Sequence, residues 1–239
     1  MSRVAILIDG GYFMRRLSAV LPKIDPSDPE EACQAVKRLI TPHLRQINKI
    51  AREPHARTLL YRAFYYDASP YLEKGHLPVS GKGIDYKKSP TAAFQLALHD
   101  NLRRTSNMAV RLGELRRDPE SLWELKPKVL KSLLKKGKEF ASLTDDDFRP
   151  TFRQKAVDMR IGLDIAAITL KQQAETIVLV AGDSDFVPAA KLARREGVKI
   201  ILDPLWQSVA PGLFEHIDGL FSGFPNPKRA TKKADEAVQ

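Results

Sequence analysis

Two carboxylates stand one residue apart where an apolar run meets a helical pattern, in the stretch LVAGDSDFVPAAKLARREG (179–197). Asp183 and Asp185 repel each other at that separation, so the pair is unfavourable unless another charge offsets it. A divalent cation would do so, and ligands that are all oxygen suit Mg²⁺ or Mn²⁺. Helix capping is the alternative, because Asp183 can cap the following helix and Asp185 can interact favourably with its dipole. This stretch alone leaves both interpretations open.

Three further acids are candidates for the same site. Asp9 ends the first apolar run, directly before two glycines, where a buried charge is unfavourable without a partner. Asp158 and Asp164 lie in the helical pattern that precedes the acidic stretch, and six residues place them about 120° apart on an ideal helix. Alternatively, Asp158 is an ordinary first-turn acid and Asp164 a solvated charge. If four or five carboxylates do converge, a bound metal can activate water and stabilise displacement at a phosphate.

The elements that must position these acids form an alternating pattern of strands and helices. Apolar runs predict five strands, at 3–11, 57–70, 108–115, 175–182 and 198–204. Three- and four-residue spacing predicts helices at 27–52 (with a kink or restart at Pro42), 91–105, 153–173, 185–197 and 208–221. Such alternation predicts an α/β three-layer sandwich with a mostly parallel central sheet. In that fold ligands bind beyond the carboxyl ends of the strands, so Asp9 and Asp183 should share one edge.

Composition limits the classes of function. The 239 residues carry a formal charge of +10 and the pI is about 9.7, which suggests a nucleic acid partner or simply a basic surface. No apolar run is long enough for a transmembrane helix, and the N-terminus does not read as a signal peptide. The single cysteine, Cys33, lies in a helical pattern and favours a reducing cytoplasm. We expect one domain at 1–224 with a basic insertion or hairpin at 116–150, and a disordered polar tail at 225–239.

Three stretches resemble the NYN domain family, a branch of the PIN-like metal-dependent ribonucleases. They are VAILIDGGYF, QKAVDMRIGLDI and IVLVAGDSDFVPAAKLARREGVKIIL, and they follow the order found in the family. The resemblance implies a Rossmann-like PIN fold, an acidic site for Mg²⁺ or Mn²⁺, and endonucleolytic cleavage of RNA. Many relatives have an Asn shortly after the first Asp, where this chain has GGYF, and Tyr12 is the polar residue there. Residues 116–150 have no counterpart in the family and are candidates for substrate choice or for pairing in a homo-oligomer.

Residue roles follow from the same resemblance. The metal-binding and catalytic acids that it implies are Asp9, Asp158, Asp183 and Asp185, with Asp164 as a fifth metal ligand. Lys155 lies in the middle motif and is expected to contact phosphate, and Ser184 is expected to support the site by hydrogen bonding.

The leading hypothesis is a metal-dependent endoribonuclease. Basic side chains would hold the RNA backbone without regard to sequence, although a solvated helix face is an alternative for 128–138. The candidates, besides Lys155, are Arg103, Arg104, Arg116, Arg117, Lys131 and Lys135. The first alternative is a non-catalytic PIN-like module that binds RNA or acts as a scaffold. The second, a haloacid-dehalogenase-type phosphatase, needs a second Asp where this chain has Gly11.

Overall fold

The computed structural model describes residues 3–52, 54–118 and 122–227. Its α-helices are α1 (Gly10–Val20), α2 (Pro29–Ala51), α3 (Pro90–Arg103), α4 (Pro127–Leu134), α5 (Val157–Leu170), α6 (Val187–Arg195) and α7 (Pro211–Phe214). Its strands are β1 (Val4–Asp9), β2 (Leu60–Ala68), β3 (Lys74–His76), β4 (Gly83–Asp85), β5 (Met108–Arg117), β6 (Trp123–Leu125), β7 (Phe148–Pro150), β8 (Phe152–Lys155), β9 (Thr176–Val180), β10 (Lys199–Asp203) and β11 (Gly219–Leu220).

The central sheet has seven strands in the order β11-β10-β9-β1-β2-β5-β8. β1 pairs in parallel with β2 on one side and with β9 on the other, and β10 is parallel to both β9 and β11. β8 is antiparallel to β5. The predicted α/β class with a mostly parallel sheet is therefore confirmed.

The strand order reverses beside β1. The chain proceeds from β1 to β2 in one direction and later from β9 to β10 in the other. The space between β1 and β9 is thus the topological switch point, where α/β sheets bind their ligands at the carboxyl ends of the strands. Both strands are continuous apolar runs, and Val4–Ile8 and Thr176–Val180 are buried, as expected for the centre of a parallel sheet.

The described residues divide into two compact units. The first unit comprises the described residues within 1–67, 97–112 and 156–239. It holds β1, β9, β10 and β11 with α1, α2, α5, α6 and α7. The second unit comprises the described residues within 68–96 and 113–155. It holds the antiparallel strand pairs β3–β4 and β6–β7, together with α4 and β8. β2, β5 and α3 cross the boundary. The predicted insertion at 116–150 falls within 113–155 of the second unit.

A small aromatic core stabilises the second unit. The rings of Tyr71, Tyr86 and Phe152 contact one another with centroids 5.2–5.6 Å apart. The guanidinium of Arg117 lies over the rings of both Tyr86 and Trp123, at 5.7 and 5.0 Å from their centroids. These contacts give the unit an interior of its own.

The five predicted strands are the five inner strands of the sheet, and both edge strands were missed. β11 has two residues, and the helix predicted over 208–221 is wrong for most of its length, because only Pro211–Phe214 is helical. The helix predicted from 153 also begins too early, since Phe152–Lys155 pairs with β5 as β8. Apolar periodicity begins only at Val157, which is where α5 starts.

Two other local predictions need correction, and one helix was missed. α2 does not restart at Pro42 but continues through it, and the next two side chains, His43 and Leu44, are buried. No helix was predicted after Asp9, where α1 begins. The helix predicted from 185 begins as a 3-10 turn, Ser184–Phe186, before α6. Of the predicted tail, 228–239 lies outside the described residues.

Candidate active site

Asp9 is held at the junction of β1 and α1. It is the last residue of β1 and the cap of α1, and its Oδ1 accepts a hydrogen bond from the backbone N–H of Tyr12 at 2.9 Å. Gly10 permits close packing beneath it, because a Cβ there would lie 2.5 Å from Cζ of Tyr65 and 2.6 Å from the carbonyl oxygen of Tyr66. Any side chain at this position would displace the start of α1. The glycine therefore helps to fix the Asp9 carboxylate at the carboxyl end of β1.

The acidic turn, Gly182–Asp185, follows β9 on the neighbouring strand. Asp183 caps the 3-10 turn, and its Oδ1 accepts a hydrogen bond from the Asp185 N–H at 3.0 Å. Phe186 is buried and anchors the turn, whereas Asp183 and Asp185 are exposed. The capping interpretation is thus correct for Asp183, but that bond uses one of its two carboxylate oxygens. Capping and ligand binding are compatible at this residue.

Asp158 brings a third element to the same place. It lies in the first turn of α5, two residues after Ala156, which caps the helix and has a left-handed backbone with φ of 66°. Burial raises the pKa of Asp158, and the negative charges of Asp183 and Asp185 raise it further, while Arg15 lowers it. The first turn of α5 therefore lies beside the acidic turn.

Asp9 shares this electrostatic environment. Burial raises its pKa, the Tyr12 N–H and Arg15 lower it, and the charges of Asp158 and Asp67 raise it again. The fold thus brings together all four acids that the resemblance implied as catalytic, from the end of β1, the acidic turn and the start of α5. Their mutual repulsion is what a bound cation would relieve.

Asp164 has different neighbours from these four acids. Its Oδ2 accepts a hydrogen bond from the Tyr66 hydroxyl at 2.8 Å and lies 3.3 Å from Nε of Arg111. Burial raises the pKa of Tyr66, and the adjacent Asp164 carboxylate raises it further. A cation and a phenol already satisfy Asp164, so its role as a fifth metal ligand stays a prediction.

Asp67 is an acid of this edge that the sequence reasoning did not select. It lies near the carboxyl end of β2, one residue beyond Tyr66, which pairs with Asp9 in the sheet. Its Oδ2 lies 2.8 Å from Nε2 of His99, a buried side chain of α3. The signal was present, because the second predicted strand, like the first, ends in an aspartate. His99 fixes the orientation of this carboxylate.

Tyr12 links Asp9 to the acidic turn. Its ring packs against Gly182 so closely that a Cβ there would lie 2.6 Å from the ring. Its hydroxyl donates a hydrogen bond to the carbonyl oxygen of Pro204 at 2.5 Å, just beyond β10. Burial raises the pKa of Tyr12 to about 12, so the hydroxyl stays protonated and can donate at neutral pH. Tyr12 therefore contacts both acidic segments through different atoms.

The loop that receives the Tyr12 hydroxyl is itself tightly held. Leu205 and Trp206 both have left-handed backbones, with φ of 45° and 65°, which are unfavourable for bulky residues. The fully buried carboxylate of Asp203 accepts hydrogen bonds from the N–H groups of Leu205 and Gly223 and lies 2.8 Å from Nε2 of His43. These bonds hold an otherwise costly conformation behind the site.

Arg15 is the cation of the site, and sequence reasoning did not select it either. It lies on α1 and lines an open cavity of about 420 Å³ together with Asp9, Tyr12, Asp183 and Ser184. Its side chain is exposed, and within the described residues it forms no ion pair or hydrogen bond. A negatively charged group can therefore approach Arg15 beside the acids.

The donor set fits Mg²⁺ or Mn²⁺ in chemistry. The four clustered side chains, Asp9, Asp158, Asp183 and Asp185, offer carboxylate oxygens, which these hard cations prefer, and none of the four is Cys or His. Within the described residues, no three His, Cys, Asp or Glu side chains are already arranged to hold a metal ion. Magnesium usually keeps several water ligands and binds through one or two carboxylates, so it does not require an all-protein cage.

The predicted nucleic-acid-binding residues occupy both units. Arg103 and Arg104 lie at the end of α3 in the first unit, where Arg104 pairs with Asp100. In the second unit, Arg116 pairs with Glu114, and Arg117 is half-buried between two aromatic rings. Lys131, Lys135 and Lys155, also in that unit, are exposed. Arg117 thus has a structural role whether or not it contacts nucleic acid.

The fold and site together define an α/β protein with an acidic cleft at the switch point of a parallel sheet. Residues 128–208 match the model of the NYN domain family, which confirms the resemblance seen in the sequence. The matched region contains Asp158, Asp183 and Asp185. It also includes 128–150, so the expectation that 116–150 has no counterpart in the family is wrong for that part. NYN domains are PIN-like nucleases that act on nucleic acid, so the match supports nuclease activity in general terms.

The other comparisons add little. No curated protein matches the chain. A structure of Sir2Tm bound to a propionylated peptide is similar over 99% of this chain and 93% of that one, at 11% identity and a TM-score of 0.35. A likeness that weak carries no information on fold or function. None of the helices in the described part of the chain has the length and apolar character needed to cross a membrane.

Proposed function

We propose that this protein is a metal-dependent endoribonuclease that acts in the cytoplasm. The observation that carries the proposal is the convergence of Asp9, Asp158, Asp183 and Asp185 from three separate elements at the switch point. After burial, the neighbouring charges of Asp183 and Asp185 raise the pKa of Asp158, and that of Asp158 raises the pKa of Asp9, which is not expected of isolated helix caps or solvated charges. Their clustering is costly to the fold and is offset when a cation binds.

The four carboxylates would hold Mg²⁺ or Mn²⁺, which when bound supplies Lewis-acid activation of water and of the phosphodiester. The chain's own contribution is positional. Tyr12 fixes Asp9 against the acidic turn, and Phe186 anchors that turn in the core. Asp67, oriented by His99, adds negative charge beside Asp9. Ser184 lines the same cavity and is available for hydrogen bonding.

The substrate is a polyanion. A formal charge of +10 favours association with nucleic acid, and contacts to the phosphate backbone do not depend on sequence. Arg103 and the exposed lysines, Lys131, Lys135 and Lys155, are the candidates with accessible charges. RNA is the substrate that the resemblance to NYN domains suggests.

The test is cleavage of a circular RNA, which has no ends and is opened only by an endonuclease. The purified protein should linearise it with Mn²⁺ or Mg²⁺ and not with EDTA. Asp183→Asn should lower the rate by about 100-fold or more, as expected when an electrostatic group of a reaction centre is removed. A circular single-stranded DNA of the same sequence tests the preference for RNA.

Glu196→Gln is the matched control, because it also removes one negative charge but lies exposed at the far end of α6 from the acidic turn. It should cleave like the wild type. Equal cleavage by Asp183→Asn and Glu196→Gln would contradict the assigned site. Cation binding by the wild type without cleavage of any RNA or DNA would instead favour a non-catalytic module.

A further inference from the structure

Arg15 combines three features that no other described residue of the cleft shares. It carries a positive charge, it lines the cavity with Asp9 and Asp183, and its side chain is exposed. Its helical neighbour Arg16 is different, because that guanidinium donates to the carbonyl oxygen of Leu205. One arginine is thus used to hold the loop after β10, and the other remains available.

Gly11 keeps the space between Arg15 and Asp9 open. A Cβ at Gly11 would lie 3.4 Å from Nη1 of Arg15 and 3.5 Å from Oδ1 of Asp9, so both groups border the place where a side chain would stand. The glycine does not need an unusual backbone conformation, since only Gly81 and Gly197 among the described glycines have positive φ. Its lack of a side chain instead leaves room for a ligand to meet the cation and the acid together.

We infer that Arg15 binds the internal phosphodiester of the RNA that lies against the acidic cluster. A guanidinium presents a planar fork of N–H donors that matches two phosphate oxygens, which makes arginine well suited to this contact. The approach of a phosphate to four carboxylates is otherwise repulsive. Arg15 supplies attraction on the side of the cleft formed by α1, and the inference rests on the proposed nuclease function.

The main test uses Arg15→Gln, with Arg15→Lys as the conservative variant. Arg15→Gln should lower kcat/KM for cleavage of a 5′-hydroxyl RNA by roughly 10- to 100-fold, the range for losing a hydrogen bond to a charged group. Arg15→Lys should recover part of that loss, because lysine keeps the charge but not the fork. Arg195→Gln is the matched control, since it removes an exposed arginine at the end of α6, and it should leave kcat/KM unchanged.

A second readout separates phosphate binding from a merely structural role. Binding of the same RNA in EDTA, followed by fluorescence anisotropy at several salt concentrations, needs no catalysis. Loss of one phosphate contact should reduce the slope of log K against log salt by about one. If Arg15 only neutralises Asp9 and Asp158, Arg15→Gln should leave this slope unchanged and should tighten Mn²⁺ binding. That result would overturn the inference.

Gly11→Ala tests the geometry without removing a charge. Alanine is a better helix former than glycine, so α1 should remain folded. The added methyl group should weaken RNA binding in EDTA by partly filling the space beside Arg15, and unchanged binding would contradict the assigned position.

The source of the phosphate is tested by repeating the kinetics with 5′-phosphorylated RNA. An equal loss on both substrates supports an internal phosphodiester, whereas a loss confined to the 5′-phosphorylated RNA would place a terminal phosphate at Arg15 and refute the proposal. Failure of the proposed nuclease function would give a different result from failure of the Arg15 inference. If the wild type cleaves nothing with any divalent cation, the nuclease assignment fails, and the binding measurements in EDTA still decide whether Arg15 contacts RNA.

Discussion

Aspartates in the two units of this protein meet opposite environments. In the second unit, both carboxylate oxygens of Asp147 lie 2.6 Å from Nζ of Lys138, and Oδ2 also accepts the Thr144 N–H. The hydrogen bond from Lys138 lowers the pKa of Asp147, and the Thr144 N–H lowers it further. In the first unit, burial and neighbouring acids raise the pKa of Asp9 and of Asp158.

The direction of the pKa shift distinguishes acids whose ionised form stabilises the fold from acids whose ionised form destabilises it. Asp145 in the second unit is also satisfied, because Ser80 and the backbone N–H of Val79 donate to it and lower its pKa. Among the described residues, Arg15 is the cation that partly offsets the charges of Asp9 and Asp158 at the switch point. A protein keeps such an arrangement when a ligand completes it, which is why an environment that raises carboxylate pKa values indicates a functional site.

The largest expected effect contrasts Asp9→Asn with Asp147→Asn. Asp9→Asn should lower the rate of RNA cleavage by about 100-fold or more, since it removes a charge from the reaction centre. It should also raise Tm, because an amide keeps an oxygen for the Tyr12 N–H without the repulsion. Asp147→Asn should do the reverse, with lower Tm and normal cleavage. Melting curves and cleavage rates of both variants test this. If Tm and the cleavage rate change in the same direction in both variants, the proposed difference between the two sites is wrong.

Divalent cations should stabilise the wild type, because they bind the folded acidic cluster. At a concentration 100 times its Kd, such a ligand adds about 2.7 kcal/mol to the free energy of unfolding. The gain should shrink in Asp158→Asn and persist in Asp147→Asn. Differential scanning fluorimetry with and without Mn²⁺ measures it. An identical shift in both variants would mean that the cation binds elsewhere.

The sequence was sufficient for the strands that form the centre of the sheet and for the acids that end them. Continuous apolar runs identify β1 and β9, and the rule that ligands bind at strand carboxyl ends places Asp9 beside Asp183. Asp158 was assigned to the same site from the resemblance to NYN domains. Helical spacing alone does not show which side of α5 faces the strand ends. The edge strands β8 and β11 were missed because short strands depend on pairing partners that no local pattern reveals.

Arg15 and Asp67 were missed for a related reason. Each is an ordinary residue in sequence, an arginine in a helix and an acid after a strand. Their importance comes from what the fold places beside them, Asp9 in both cases. Tyr12 was noticed only as a polar substitute for an absent asparagine, whereas its contacts with Gly182 and Pro204 involve residues about 170 to 190 positions away.

Acidification should affect the two sets of aspartates with opposite sign. The lowered pKa of Asp147 means that its contribution to stability is present above the ordinary aspartate pKa and is lost as pH falls through the lowered value. The raised pKa of Asp9 means that its cost is present above the raised value and disappears as pH falls below the ordinary one. Denaturant titrations from neutral to acidic pH should therefore show both variants, Asp147→Asn and Asp9→Asn, converging on the wild type from opposite sides. A constant offset at all pH values would show that charge is not the cause.

The smallest expected effect comes from Tyr12→Phe, which leaves every acid in place. The variant keeps the backbone N–H that Asp9 accepts and the ring that packs on Gly182, but it loses the hydroxyl bond to Pro204. A lost neutral hydrogen bond costs about 1 kcal/mol, so kcat should fall by roughly five-fold if Tyr12 positions the acids. Tyr61→Phe is the control, because it removes a hydroxyl at the opposite end of β2 from Asp67. If kcat is unchanged while Tm falls, the bond supports the loop after β10 and does not align the acidic cluster. The acids of the first unit would then depend for their alignment on the bound cation, whereas those of the second unit are aligned by the chain itself.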